Sequence, residues 1–481
     1  MQLYDTFARG MVPIQGSRPG ALSIYACGPT VYRDAHVGNM RTFLLPDLIR
    51  RVAEYRGVRV RLVQNITDVG HMADDRGLDG AAALGSIDEG QGAGDDRILA
   101  QAQAEGRSAL DVARHYEAAF RADCSALNIT PADEYPRASE SVPLMIDLIA
   151  VLLERGHAYV GGDGSIFFDA RSYPEYGALS GNRLQDLRPG HRFEGRHDPA
   201  KRFHADWALW KSSGPHRTQL VWDTPWGRGF PGWHTECSAM SLNLLGPEID
   251  IHTGGIDLRF PHHEDERAQS NCAADREVVR HWVHGEHLLF GGRKMSKSTG
   301  NVVLVRDVIE AGQDPLALRL AFLGSRFRQQ TNLTWDSIAA ADVTLRRWRT
   351  RVAEWAEHPS APIPHKTLTD FVTALEQDLD TPRALAELRA VERDSGIAPG
   401  ARFEFFALAD RILGLDLVRD VGRLPRPAGA LDPAAQRLLD ARERARADRD
   451  WAASDRLRDE LATLGLRVVD TPEGQQVEIA T

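Results

Sequence analysis

Cysteine is scarce in this chain. There are 4 in 481 residues, Cys27, Cys124, Cys237 and Cys272, and no two form a C-x-x-C pair. That excludes a disulfide-stapled secreted scaffold and points to a reducing cytoplasm. Long apolar runs are also missing. Nothing approaches the ~18 consecutive apolar residues of a spanning helix, and the N-terminus MQLYDTFARGMVPIQ lacks a basic patch followed by an apolar core. The expectation is a cytoplasmic protein without a membrane partner. A basic surplus is absent as well: Lys+Arg is 58 against 68 Asp+Glu, a net charge of −10. Such a balance speaks against nucleic acid unless basic groups gather locally. There is no internal repeat. With 42% hydrophobic and 26% charged residues, the composition is that of a folded globular protein. Its length suggests about three domains.

Residues 21–27 (ALSIYAC) read as a strand, residues 40–56 as a helix with Leu45, Leu48, Ile49, Val52 and Tyr55 on one face, and residues 58–65 as a second strand. Strand, helix, strand is a βαβ unit and implies a parallel sheet. Pro46 removes a donor inside the helical stretch, which predicts a kink or a later helix start. Residues 74–96 form an acidic, Gly-rich loop, followed by helical patterns to residue 156 and short strands and turns over 161–211. HPSAPIPH, around Pro359, and RLPRPAGALDP (423–433) read as linkers. Residues 367–415 are helical, and residues 434–481 read as a helical pair ending in a β-hairpin.

Two short motifs carry chemistry. His36-Val37-Gly38-Asn39 lies on the turn from the first strand into its helix. Ligands bind at this end of a parallel sheet, and a helix N-terminus suits phosphate. His36 can donate to phosphate oxygens as charge builds, and Gly38 would let the backbone approach a flat base. Lys294-Met295-Ser296-Lys297-Ser298 places two cations three residues apart on a Ser/Gly-rich loop able to close over a polyphosphate. Taken singly, each has a plainer alternative, a chance tetrapeptide or a solvated basic loop.

Together with CGPTVYRDAHVGNMRTF (27–43), NITDVGHM (65–72), GWHTECSAMS (232–241), DIHTGGIDLRFPHHEDERAQS (250–270), KMSKSTGN (294–301), QDLDTP (377–382) and RARADRDWAASDRLRDEL (444–461), these motifs resemble the cysteinyl-tRNA synthetases, of class I, in the family's order and over nearly the whole chain. The resemblance implies an α/β protein: a Rossmann-like parallel-sheet catalytic domain over 1–310 with a connective insertion at about 74–230. Mainly α-helical C-terminal domains follow, namely a stem-contact region (311–358), a helical bundle (359–422) and an anticodon-reading domain (423–481). It implies one Zn²⁺ per chain on Cys27, Cys237, His262 and Glu266, and ATP with Mg²⁺ as substrate. It implies catalytic roles for His36, Asn39, Lys294 and Lys297, with Gly38, Asp257 and Lys297 at the nucleotide and Thr67, Trp233 and His252 at the amino acid. Implied partners are L-cysteine, ATP and tRNA(Cys), with the chain a monomer.

From the residues themselves, His262 and Glu266 are four apart and share a face if helical, while a lone cysteine is more often a buried hydrophobe. Cys124 and Cys272 match no ligand position. The reason for zinc would be selectivity. A plain pocket separates serine from cysteine by only ~1–3 kcal/mol, whereas a soft thiolate gains a metal bond that a hydroxyl cannot match. No separate editing domain is therefore expected. Asn39 stands where the family often has His, Asp265 replaces the more usual Asn, and the 74–96 loop is long. The arginines Arg442, Arg444, Arg446, Arg449, Arg456 and Arg458 are a candidate tRNA surface, against the alternative of internal ion pairs. Competing functions are a mycothiol-type ligase passing cysteine to an amino sugar, and a non-catalytic zinc- or RNA-binding paralogue.

Overall fold

In the computed structural model of the chain, the described residues are 1–70, 96–187, 199–214, 217–295, 301–423, 433–448, 450–464, 466–471 and 474–479. The acidic Gly-rich loop predicted over 74–96 falls, except Asp96, outside them. The expected parallel sheet is present. β1 (Ala21–Ala26), β2 (Arg59–Gln64), β3 (Ile249–Gly255) and β4 (Val279–Gly285) run parallel in the order β4-β3-β1-β2. Alternation along β1 sends Ile24 to one face and Tyr25 to the other. Each contributes to a different hydrophobic core. β3 is buried at all its residues, as expected of a central strand covered on both faces.

Helix α1 (Val37–Tyr55) connects β1 to β2. It starts three residues earlier than the apolar pattern predicts and runs through Pro46, so the predicted later start is incorrect. The capping box formed by His36 and Asn39 sets that start, and burial of twelve α1 residues, Phe43, Leu44 and Ile49 among them, outweighs the donor lost at Pro46.

The chain leaves β1 toward β2 and leaves β3 toward β4. Because β1 and β3 are neighbours, the two connections diverge and open a crevice at the strands' C-terminal ends. Helices α2 (Trp233–Leu245) and α3 (Glu264–Ala274) flank it. Between β2 and α2 the described residues form three α-helices, Arg97–Glu105, Ala109–Ala126 and Val142–Glu154, and an antiparallel five-stranded sheet.

After a short helix, Val305–Glu310, come α4 (Pro315–Leu323), α5 (Trp335–Ala356), α6 (His365–Glu376), α7 (Thr381–Arg393) and α8 (Pro399–Leu413). A fully buried ion pair joins them to α1. Arg319 of α4 donates to Asp47 Oδ2 at 2.7 Å and to the carbonyls of Leu127, Asn128 and Leu413 at 2.9, 2.9 and 2.6 Å. Every donor group of that guanidinium has a partner, which a charge removed from water requires.

The C-terminal segment is the predicted pair of helices, α9 (Pro433–Ala447) and α10 (Trp451–Thr463), with a hairpin of Leu466–Thr471 and Gly474–Ile479. Its arginines are not uniformly a surface. Arg442 is fully buried and grips Asp470 through two bonds, at 2.9 and 3.0 Å, and Arg446 and Arg458 pair with the same carboxylate. For these three the ion-pair alternative holds. Arg449 lies outside the described residues.

Candidate functional site

A cavity of about 230 Å³ opens at the crevice between β1 and β3. His36, Gly38 and Asn39 of the first motif, Lys294 and Met295 of the second, and Asp257 all line it, together with Cys27, Trp233 and His262 on its deeper side. Two motifs separated by more than 250 residues thus meet. The contact is direct: Val37 N–H donates to the Val303 carbonyl at 2.9 Å, and a Cβ on Gly38 would come within 2.8 Å of Met295 Cε and 3.0 Å of the His36 ring. The space Gly38 leaves open therefore takes a side chain of the second motif. Lys297 lies outside the described residues.

The capping box assigns roles to the phosphate-facing pair. His36 Nδ1 accepts from Asn39 N–H and the Asn39 Oδ1 accepts from His36 N–H, each at 3.2 Å. An accepting Nδ1 places the imidazole proton on Nε2, and a committed Oδ1 leaves Nδ2 as the donor of Asn39. With the Val37 and Asn39 amides already bonded, these two side chains add donors for an anion at the α1 terminus.

Below them, Cys27 at the end of β1, Cys237 on α2, His262 in the turn after β3 and Glu266 on α3 bring one donor atom each within 4.8 Å of one another. All are buried. Four elements have to close for this to happen, which is why sequence spacing alone does not join Cys27 to Cys237. A second set, Cys27, His252, His263 and Glu266, overlaps it. His252 Nε2 and His263 Nε2 lie 3.4 and 3.2 Å from Cys27 Sγ. His263 and its partner His284, at 2.8 Å, are not among the residues singled out from sequence; the paired histidines of PHHED were the available signal. Gly254 admits His263, whose ring lies 2.7 Å from where a Cβ would stand.

The electrostatics are those of a cation site. Burial pushes the Glu266 carboxyl well above the usual range, and burial drives His252 and His263 well below theirs and His284 to about 3, so these rings are neutral. Burial likewise raises the Cys27 thiol, whose hydrogen bond to Cys237 pulls that second thiol down. Glu266 Oε2 is buried without a hydrogen bond. A divalent cation would offset the penalties on Glu266 and Cys27 and would find the imidazoles already neutral, the form that binds metal. The S, S, N, O donor set matches tetrahedral zinc, so the residues fit that ion.

His262 is held from behind. Its Nδ1 lies 2.8 Å from His234 Nδ1, His234 Nε2 lies 3.5 Å from Asp265 Oδ2, and Tyr176 O–H donates to Asp265 Oδ1 at 2.6 Å. Asp265 accepting from His234 makes His234 Nδ1 the acceptor for His262 Nδ1–H. The His262 Nε2 lone pair then faces the cluster, with Glu266 Oε1 at 2.9 Å. Trp233 stacks on His262 at 4.0 Å and His252 on Trp282 at 4.7 Å. Thr67 is buried behind the wall. Its backbone pairs with Pro29 and Val31, and its hydroxyl accepts from Asn65 Nδ2 at 3.0 Å.

Comparison with known proteins agrees with this arrangement. Residues 13–84 and 93–343 match the family described as tRNA synthetases class I (C) catalytic domain, and residues 428–477 match the cysteinyl-tRNA ligase anticodon binding domain. The chain is 41% identical to a cysteine–tRNA ligase of Thermus thermophilus over 98% of both chains, and 38% identical to one of Opitutus terrae over 100% of this chain and 99% of that. Solved structures with the same fold include a Mycobacterium tuberculosis methionyl-tRNA synthetase bound by methionyl-adenylate. It has a TM-score of 0.54 and 15% identity, covering 90% of this chain and 96% of that one. An Agrobacterium radiobacter LeuRS in a ternary complex with tRNA gives a TM-score of 0.56 and 11% identity over 84% of each. A parallel sheet with these two motifs flanking one cleft is the architecture of the class I aminoacyl-tRNA synthetases. Within that class, the chain belongs to the cysteine–tRNA ligase family.

Proposed function

We infer that the chain joins L-cysteine to the 3′-terminal adenosine of tRNA(Cys) at the expense of ATP. The cysteine carboxylate attacks the α-phosphate of ATP, giving cysteinyl-adenylate and pyrophosphate, and a terminal ribose hydroxyl of the tRNA then takes the acyl group and releases AMP. Protein side chains position the reactants and stabilise charge at phosphorus. His36 Nε2–H and Asn39 Nδ2 donate to phosphate oxygens, Lys294 and Lys297 supply positive charge, Asp257 meets the ribose, and Gly38 admits the closing loop. Trp233, Thr67 and His252 shape the amino-acid end.

The observation that carries this reading is the buried cluster Cys27, Cys237, His262 and Glu266 at the deep side of the cleft that His36 and Lys294 line. Zinc on those four residues supplies a soft Lewis acid that prefers a thiolate to a serine hydroxyl. Mg²⁺ accompanies ATP. We place the catalytic domain at 1–310 with its insertion at about 74–230, stem contact at 311–358, the bundle at 359–422 and anticodon reading at 423–481, in a cytoplasmic monomer. Among the described residues no helix is long and apolar enough to cross a membrane. Aminoacylation of purified tRNA with cysteine, run with and without a zinc chelator, tests the assignment: charging that the chelator abolishes and zinc restores is the expected result. Transfer to an amino sugar in place of tRNA, or no cysteine-dependent ATP–pyrophosphate exchange, would overturn it.

A further inference from the structure

The helical half of the molecule carries an arginine cluster that cysteine activation does not use. Helix α5 presents Arg347, Arg351 and Trp355 at four-residue spacing, so the three share one face. Arg393 ends α7 and Arg402 lies in the first turn of α8. With Glu392 they line an open cavity of about 410 Å³, floored by the buried Trp355.

The carboxylates present do not balance these charges. Among the described residues, two carboxylates form ion pairs with these four guanidinium groups: Glu392, which bonds Arg347 at 2.8 Å and Trp348 Nε1 at 2.9 Å, and Glu354, which pairs with Arg351 at 3.0 Å. Arg402 gives one nitrogen to the Asp394 carbonyl and lies 5.6 Å from the Trp355 ring centre, while its Nε is buried without a hydrogen bond. Among the described residues Arg393 has no ion pair. Like charges four apart on a helix repel, so the Arg347–Arg351 spacing does not serve α5 itself.

We propose that this cavity is a phosphodiester-binding site that holds the backbone of tRNA. Guanidinium forks match phosphate oxygens. The arginines are spread over three helices around an open rim, which suits a polymer rather than one enclosed small anion. Backbone contacts of this kind position RNA without reading its bases. On a chain of net charge −10, RNA requires such local patches. The proposal rests on the tRNA-ligase function inferred above.

The test uses the full chain and a tRNA(Cys) transcript, with the double variants Arg351→Ala/Arg393→Ala and Arg351→Lys/Arg393→Lys. The alanine pair is expected to lower the slope of log affinity against log salt by about 2, one per residue lost. The KM for tRNA should rise about tenfold, with cysteine-dependent ATP–pyrophosphate exchange at the parent level. The lysine pair should keep the parent slope. A parent-like slope and KM in the alanine pair overturn the site. Equal loss of exchange in both pairs assigns the arginines a structural role and overturns it too. A parent chain that exchanges pyrophosphate but charges no tRNA fails before any substitution, and that result defeats the ligase function itself, and the site with it.

Discussion

Cys237 sits 1% exposed on α2, within the four-donor cluster. Cys237→Ser removes the thiolate that zinc on this cluster would need. Metal content is expected to fall well below one per chain, and preference for cysteine over serine to drop toward the ~1–3 kcal/mol of a plain pocket; metal analysis and paired exchange assays check both. His234 acts one step back, fixing which His262 nitrogen faces the cluster. His234→Ala should weaken zinc retention about 10–100-fold, as loss of an outer-shell partner does, read by competition with a chelator. The four residues that meet in the cluster were named from motif resemblance, and His262 and Glu266 also from their four-residue spacing. The His263–His284 and His234–Asp265 contacts were not, because they link residues of separate elements whose pairing only the closed sheet creates.

The union of α1 with α4 depends on Asp47. Burial alone would raise its carboxyl, but Arg319 and Arg51 hold it below the usual value. A group depressed in the folded state stabilises above its unfolded value near 3.9, and loses that contribution as pH falls through the folded one. Asp47→Asn strands a buried guanidinium and is expected to cost about 3–5 kcal/mol at neutral pH. The gap in melting midpoint from the parent should narrow below about pH 4; a constant gap would refute the pairing. The α1 periodicity was readable, yet its start was not, since a capping box led by His36 lies outside the usual Ser, Thr, Asp and Asn signals. Likewise nothing in PLALRLAFL says where a buried Arg319 finds its anion.

At the scale of the whole molecule, the described residues of the C-terminal unit form a small core, with Ala435, Leu439, Leu461 and Val468 as its buried apolar members. Units of this size are marginal, so Arg442 matters. Arg442→Ala leaves Asp470 with only its outer partners, at an expected cost of about 2–3 kcal/mol once solvent around Asp470 is allowed for. Charging of tRNA should fall while cysteine-dependent exchange stays intact; equal loss of both would contradict a separate role for this unit. Reading Arg442 as RNA-facing failed because a helical arginine looks solvated until the hairpin places Asp470 over it. The net charge of −10 likewise proved compatible with a tRNA ligase, because charge acts locally. Arg319 has a further consequence. Its bonds reach Asp47 of α1, Leu127 and Asn128 beyond the Ala109–Ala126 helix, and Leu413 of α8. None of these three helices can come away without exposing the same guanidinium. Their slowest amides should therefore exchange with solvent deuterium through one shared opening, with a common free energy, although α8 lies hundreds of residues from the other two in the chain.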